Sequence, residues 1–376
     1  MGKLLKIVFR KVGIICKISI QKILSLGNKV SIIYTYNVGK KSNDEIKEKR
    51  VDISFDKRVE LLLGLQFCVD RDRPNILYPD GNFFYDTLPS YCEAFYELYK
   101  KAASEELVEY IAEGGLDTYN RTIEIAFSLD ESYHIGDTKE IVYIESRNPR
   151  FNKSFLQKEL CEFVKKADFD SFFDEKKGLL AEAIEAYRVA LCSKAEFDEQ
   201  IFSEFYGYSL GKYKVILYNF ARGGYGIKNK EYIVNLQGFR NVGNDEKHII
   251  MKSSSCVITC LHEFSHPYLN PLGEKYFANV DLTAFFQNAM ENGLDSCYNN
   301  QVVLINEYMV RAVQFYLGKK YLDPKDIASM IEWHKTRLGY CYIEEVMSLF
   351  DLRWKYASFE DFYKKEVVDF FIKWNK

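Results

Sequence analysis

The chain has 376 residues, of which 47% are hydrophobic and 28% charged, and its formal net charge is −3. This composition excludes a disordered or collagen-like chain, and the net charge gives no indication of a nucleic-acid partner. No apolar run approaches the roughly 18 residues that a membrane-spanning helix needs. The nine cysteines are scattered and form no CxxC pair, which argues against a disulfide framework and favours reduced thiols in a cytoplasmic protein.

Residues 1–50 form a basic N-terminal segment with no acidic residue before Asp44. Its alternation of Ile, Val and Lys predicts solvated edge strands. A helix on a membrane surface and a degenerate secretory signal are the alternatives. Lys11, Lys17 and Lys22 interrupt the apolar region that a secretory signal needs, which argues against clean export.

Residues 51–207 carry mainly helical patterns. A helix is predicted to begin near Asp56 in "FDKRVELLLGLQFCV", and another to begin at a Ser104 cap and to stop at Gly114 and Gly115. Two longer amphipathic helices follow in "FLQKELCEFVKKA" and "LLAEAIEAYRVAL". Their apolar stripes indicate core packing and no chemistry.

Residues 208–376 begin with strand patterns and continue as helices. The runs "KYKVILYNF", "KEYIVNLQGF" and "EKHIIMK", divided by turn sequences, predict a meander of three strands and therefore a small, mainly antiparallel sheet. Helical spacing then starts in "SSSCVITCLHEFSHPYL", with Ser253 or Ser254 as the candidate N-cap. Further helices are expected after Asp323 and Ser358, which gives a helical C-terminal lobe.

The run "HEFSH" has the spacing of a metal site. Four residues advance a helix by about 400°, so His262 and His266 share one face and both imidazoles can reach a single ion. A zinc ion held in this way keeps a solvent molecule that needs a base, and Glu263 is placed to be that base. The alternative is a polar helical face without metal.

A catalytic zinc usually has three protein ligands, so a third is required. Glu307 lies within the apolar run of the next strong helix, where a carboxylate has to be paired or metal-bound. Arg311, one turn further on, can supply the pairing. A plain ion pair between Glu307 and Arg311 is the alternative interpretation, and it is compatible with metal binding because ligating carboxylates commonly have such a partner.

"HEFSH" together with Glu307 in "NEYMVRA" resembles the gluzincin branch of the zincin metallopeptidases. In that branch two motif histidines and a later glutamate on a helix bind one zinc, and the motif glutamate is the general base. The resemblance implies His262, His266 and Glu307 as ligands and Glu263 as the base. The Asn306–Glu307 pair is similar to the element that carries the third ligand in thermolysin-like enzymes, which implies a supporting role for Asn306 and Arg311.

Most of the chain from about residue 50 also resembles an uncharacterised bacterial family with an HExxH motif, known only as a domain of unknown function. The segments that carry this likeness are "HEFSHPYLNP", "NEYMVRA", "FDKRVELLLGL" and "GLDTYNRTIEIAFSL". This second resemblance specifies the site and leaves the substrate open.

Pro267 departs from a regular helix, because a proline removes a backbone donor and crowds the preceding turn. We expect the helix to kink or end there. The group that would stabilise a tetrahedral oxyanion has only three candidates, His334, Tyr340 and Tyr342.

The sequence therefore predicts an α+β, zincin-like protein that hydrolyses peptide bonds in a peptide or protein substrate with one Zn²⁺. An inert zincin-like binding or regulatory module and a zinc amidase acting on a non-peptide bond are the alternatives. The substrate is expected in a cleft between the sheet-bearing region and the helix of Glu307.

Overall fold

The computed structural model describes residues 51–78, 84, 87–193, 195–228, 231–243, 246, 248–294 and 300–375, and the backbone of residues 25–26 and 29–30. The chain divides into two compact units, residues 1–50 and 51–376. In the first, β1 (Ser25–Leu26) pairs antiparallel with β2 (Lys29–Val30). The remainder of the predicted edge strands, and the membrane-surface and signal alternatives, lie outside the described residues.

The second unit contains one four-stranded mixed sheet. Its spatial order is β3-β4-β6-β5, in which β3 pairs parallel with β4, β4 parallel with β6, and β5 antiparallel with β6. The four strands are β3 (Asp52–Phe55), β4 (Lys212–Tyr218), β5 (Gly224–Lys228) and β6 (Tyr232–Gly238).

The prediction of a mainly antiparallel meander is wrong, because two of the three strand pairs are parallel. The runs over β4 and β6 were predicted as strands and are strands. The described residues of "EKHIIMK" are not in a strand. The other two strands of the sheet were not predicted. They are β5, whose glycines indicated a turn, and the short β3.

Helices make up most of the described chain, and the predicted α+β class is confirmed. The first group is α1 (Lys57–Asp72), α2 (Pro89–Ala102), α3 (Glu105–Ala112), α4 (Tyr119–Ser128), α5 (Lys139–Arg147), α6 (Lys153–Ala167), α7 (Phe169–Glu175), α8 (Lys177–Leu191) and α9 (Gln200–Tyr206). None of the helices in the described residues is long and apolar enough to cross a membrane.

Every described element after β6 is helical. This second group is α10 (Ser253–Glu263), α11 (His266–Phe277), α12 (Thr283–Glu291), α13 (Gln301–Gly318), α14 (Pro324–Arg337), α15 (Ile343–Leu349), a 3₁₀ helix (Phe350–Lys355), α16 (Phe359–Phe362), a π-helical turn (Tyr363–Val367) and α17 (Val368–Trp374). The predicted boundary at residue 207 stays a prediction, and β3, which precedes that residue, pairs with β4, which follows it.

Two of the predicted helices begin at a residue whose side chain accepts a hydrogen bond from a backbone amide of the first turn. Asp56 accepts a hydrogen bond from the Arg58 amide and Ser104 from the Leu107 amide, as predicted. The predicted cap of α10 is wrong, because this helix begins at Ser253 with Lys252 in the cap position and without a side-chain cap.

Aromatic packing fixes the junction between α10 and α11. The ring of Phe264 lies edge-on to that of Tyr213, with centroids 5.0 Å apart. Tyr268 stacks on Tyr206 at a centroid distance of 4.1 Å and an interplanar angle of 7°. All four side chains are buried, so the direction in which α11 leaves α10 is set by the core.

Glycines allow β5 to lie directly against the end of α10. A Cβ at Gly224 would lie 2.2 Å from Glu263 Oε1, and one at Gly226 would lie 2.0 Å from the Glu263 carbonyl oxygen. These distances are shorter than any contact between such atoms, so only glycine permits this approach. β5 therefore fixes the position of Glu263, and the glycines that allow this contact are the reason that its sequence indicated a turn.

Gly226→Ala is expected to lower the free energy of unfolding by about 1–3 kcal/mol, because the added methyl group must push β5 away from α10. The matched control is Gly178→Ala in α8, where no atom lies within 4 Å of a built Cβ. The control is expected to gain up to about 1 kcal/mol from helix propensity. Urea unfolding measures both variants, and a Gly226→Ala protein as stable as the wild type would contradict the close approach.

Candidate metal centre

The helix that carries the first histidine ends before Pro267, as predicted. A turn at Phe264 and Ser265 separates α10 from α11, and Pro267 is in the first turn of α11, where a helix needs no amide donor. The Ser265 amide donates to the His262 carbonyl oxygen at 3.0 Å, and its hydroxyl donates to the Leu261 carbonyl oxygen at 2.7 Å. The break therefore leaves His266 on the same side as His262.

The structure brings the two histidines and two carboxylates together. His262 Nε2 lies 3.2 Å from His266 Nε2. Glu307 of α13 reaches both rings, with Oε2 3.8 Å from His262 Nε2 and Oε1 3.7 Å from His266 Nε2. Glu263 Oε2 lies 3.8 Å from His266 Nε2. Ligand atoms about 2.0–2.1 Å from a tetrahedral zinc ion are about 3.3 Å apart, so these spacings are close to those of a metal site.

His262, Glu263 and His266 form a group that could hold a metal ion, since their ligand atoms lie within 4.8 Å of one another. This group contains Glu263 and not Glu307. Glu307 nevertheless comes within 4 Å of both imidazoles, through a different oxygen for each. Both carboxylates are therefore near enough to complete the site, and the distances identify neither the ion nor its third ligand.

Two amide side chains orient the histidines. His262 Nδ1 is 2.8 Å from Gln314 Oε1, and His266 Nδ1 is 3.2 Å from Asn270 Oδ1. An amide oxygen only accepts, so each Nδ1 carries a proton, and each Nε2 is turned towards the other ring. Metal-ligating histidines commonly donate one ring N–H to such an acceptor and bind the ion through the other nitrogen.

Glu307 is held by its neighbour on α13. Its buried Oε2 lies 3.1 Å from Arg311 Nη2 but accepts no hydrogen bond from the described residues. A carboxylate oxygen with unused acceptor capacity in a buried position fits a metal ligand. The ion pair predicted between Glu307 and Arg311 is thus present together with the site, and does not replace it.

Arg311 also contacts two of the three oxyanion candidates. Its Nη1 donates to His334 Nε2 at 3.0 Å, and its guanidinium lies over the Tyr340 ring at 4.6 Å. His334 Nδ1 donates to the Met330 carbonyl oxygen at 2.8 Å, so its Nε2 accepts and has no proton to offer. Tyr342 lies apart, with its hydroxyl 3.3 Å from Asn288 Oδ1.

Asn306 does not join the cluster. Its Oδ1 lies against Gly273 of α11, at 1.8 Å from the position of a built Cβ. No hydrogen bond among the described residues connects its side chain to Glu307 or to either histidine. The residue next to Glu307 therefore serves the contact between α13 and α11.

Burial controls the protonation of the centre without metal. It raises the pKa of Glu263 to about 8, and the charge of Glu307 contributes in the same direction, against Arg311 and the Gly226 amide. Burial lowers the pKa of His262 well below its usual range, with further lowering by His266 and Arg311. His262 is therefore neutral at pH 7, which is the form that binds metal.

His262 and Glu263 face a cavity of about 590 Å³. Arg311, Gln314 and His334 line the same cavity from α13 and α14. The site is thus accessible from one side, through a pocket whose volume is typical of ligand sites.

The residues that orient the histidines were not predicted. Gln314 is a polar residue in the apolar run of α13 and lies two turns after Glu307, on the same face. Asn270 lies one turn after His266 in α11. Each had a signal in its helical spacing from a predicted ligand, and Gln314 had a second one as a polar residue inside an apolar run.

The family model described as a domain of unknown function, DUF4932, matches residues 108–369, a range that includes every residue of the centre. No curated protein and no solved structure is significantly similar to the chain.

Glu263→Gln tests the buried state of the acid in the metal-free protein. Between the ordinary pKa of 4.5 and about 8 the folded chain holds a proton that the unfolded chain has released. The contribution of Glu263 to stability therefore falls as the pH rises from about 5 to about 8. Gln cannot ionise, so the free energy of unfolding of the variant should rise relative to that of the wild type over that interval, by a few kcal/mol at about pH 8.

Urea unfolding in the presence of a chelator, at several pH values between about 5 and 8, measures this difference. Glu182→Gln on the exposed face of α8 is the matched control for the chemical change. A stability difference between wild type and Glu263→Gln that stays constant with pH would contradict the burial of an ionisable Glu263.

Proposed function

The chain belongs to the DUF4932 family, and we propose that it is a zinc-dependent metallopeptidase of the zincin-like type that hydrolyses peptide bonds. The observation that carries the proposal is the pair of facing Nε2 atoms, 3.2 Å apart, with the buried carboxylate of Glu263 and the partly buried carboxylate of Glu307 beside them. Two neutral imidazoles and one carboxylate are a usual ligand set of catalytic zinc. We assign His262, His266 and Glu307 as the ligands.

The choice between the two carboxylates follows from their surroundings. Glu307 lies within 4 Å of both imidazoles, whereas Glu263 lies that close only to His266. Glu263 also faces the cavity, where it meets the substrate, and Gly226 donates a backbone hydrogen bond to it. Glu307 is therefore the ligand and Glu263 the general base.

Zinc would supply a Lewis acid that makes a coordinated solvent molecule acidic enough to react near pH 7. The oxygen of the attacking water bonds to the peptide carbonyl carbon, and Glu263 takes a proton from that water. Glu263 then gives that proton to the leaving nitrogen as the carbon–nitrogen bond breaks. Arg311 lines the cavity, and its guanidinium can stabilise the negative charge that develops on the carbonyl oxygen.

The edge of the sheet supports a peptide as the substrate. β5 is the last strand of the sheet, and no described strand pairs with its outer edge. It runs past Glu263, with Gly224 and Gly226 against that residue. An extended peptide added to this edge would bring its backbone to the base. A substrate-bound structure with the peptide away from β5 would contradict this binding mode.

Purified protein is expected to bind about one zinc per chain and to hydrolyse a casein-type substrate. Glu263→Gln should keep the zinc and lose at least about 100-fold in kcat, because the base is removed. His262→Ala should lose the zinc together with the activity. His134→Ala is the matched control, since His134 is exposed and pairs with Asp130 in the loop that follows α4. It should change neither quantity.

Three outcomes of this experiment contradict the proposal. Protein that binds no zinc has no such centre. Protein that binds zinc at His262 but hydrolyses no peptide is an inert binding or regulatory module. Protein that cleaves only amides outside peptides in a substrate screen is a zinc amidase.

Gln314→Leu should weaken zinc binding about 10- to 100-fold, because the proton on His262 Nδ1 loses its acceptor and the ring its orientation. Gln314→Glu keeps an acceptor oxygen and should retain most of the affinity. Competition with a fluorescent chelator measures both variants. Unchanged affinity in Gln314→Leu would contradict the orienting role.

A further inference from the structure

The described residues that line the cavity beside Glu263 carry a net positive charge, although the whole chain carries a net charge of −3. Among these residues one carboxylate, that of Glu263, faces four cationic side chains. Arg311 is one of these and is paired with Glu307. The other three, Arg222, Arg240 and Lys252, are exposed and are called here the basic rim.

The topology of the sheet brings the basic rim together. β4 and β6 are parallel neighbours, so their carboxyl ends lie at the same edge of the sheet. Arg222 follows the end of β4 by four residues, and Arg240 follows the end of β6 by two. Ligands of parallel sheets commonly bind outside the carboxyl ends of the strands.

Lys252 adds a charge that is unfavourable for the helix it precedes. It occupies the cap position of α10, and no side chain caps this helix. A cation at the amino end of a helix is repelled by the helix dipole. An anion bound beside Lys252 would offset that repulsion and would also approach Ser255, which lines the cavity from the first turn of α10.

We propose that the basic rim binds a carboxylate of the peptide substrate, so that the enzyme prefers acidic peptides or peptides with a free carboxyl terminus. This inference rests on the proposed peptidase function, because it names the substrate of the same site. Arginine pairs with carboxylates through two parallel hydrogen bonds, and lysine adds a point charge. Glu263 and the rim line one cavity of about 590 Å³, so a carboxylate and the scissile bond of one short peptide can occupy it together.

A nucleic acid is the competing anionic ligand. Proteins that bind it through the backbone commonly present an extended basic surface, because each phosphate contact adds to the affinity. The basic rim consists of three residues at the mouth of one cavity in an acidic chain. The observations therefore favour a carboxylate on a short peptide.

Binding of labelled hexapeptides to the full chain tests the proposal without hydrolysis. The protein is zinc-loaded Glu263→Gln, and the readout is fluorescence anisotropy. Four peptides differ only in charge: acidic side chains with an amidated end, neutral with a free carboxyl end, neutral with an amidated end, and basic with an amidated end. At least one of the first two should bind about tenfold more tightly than the neutral amidated peptide, which corresponds to two charge contacts.

Charge-neutral variants of the rim give the second arm of the test. Arg240→Gln/Lys252→Gln in the same background should remove the preference. Lys139→Gln/Arg147→Gln, which neutralises one lysine and one arginine exposed on α5, should keep it. Raising the salt concentration to about 1 M should weaken the preference, since the screening length falls to about 3 Å.

The outcomes separate this inference from the proposed function. Tighter binding of the acidic peptide identifies a side-chain carboxylate, and tighter binding of the free-ended peptide identifies the terminal carboxylate. Equal binding of all four peptides, a preference for the basic one, or a preference that survives in Arg240→Gln/Lys252→Gln overturns the inference. So does tight binding of a short oligonucleotide without binding of either carboxylate peptide. Failure of the wild type to hydrolyse any peptide contradicts the proposed function and leaves the binding result intact.

Discussion

The approach of two imidazoles across a break in a helix is the interaction on which the proposed site depends. His262 lies in the last turn of one helix and His266 begins the next, yet their Nε2 atoms lie 3.2 Å apart. Amide oxygens of Gln314 and Asn270 hold the opposite side of each ring. The fold therefore holds both Nε2 atoms close enough together for one cation to bind them.

Much of the site could be predicted, because helical spacing is local. A spacing of four residues places His262 and His266 on one face of a helix. Glu307 could be predicted as a ligand because it is an acidic residue inside an apolar run. Asn306 was assigned from a family resemblance and not from helical spacing, and its side chain lies against Gly273 and outside the cluster. Reasoning from helical spacing missed Gln314, because a helix pattern gives the face of a residue but not the partner of its side chain.

The fold could likewise be predicted where it depends on neighbouring residues, and could not where it depends on residues far apart in the chain. Caps and apolar periodicity are written in short stretches, so helices such as α1 and α3 could be predicted with their first residues. The direction and order of strands depend on residues far apart in the chain. β3 is four residues long and pairs across about 160 residues with β4, and β5 has the glycines of a turn because α10 approaches it closely.

A crystal structure of the zinc-loaded chain, with anomalous differences recorded at the zinc absorption edge, tests the central claim most directly. We expect one anomalous peak about 2.0–2.2 Å from His262 Nε2, His266 Nε2 and one oxygen of Glu307, with Glu263 outside the coordination sphere. A peak at another place in the chain, or one bound by Glu263 with Glu307 turned away, would contradict it.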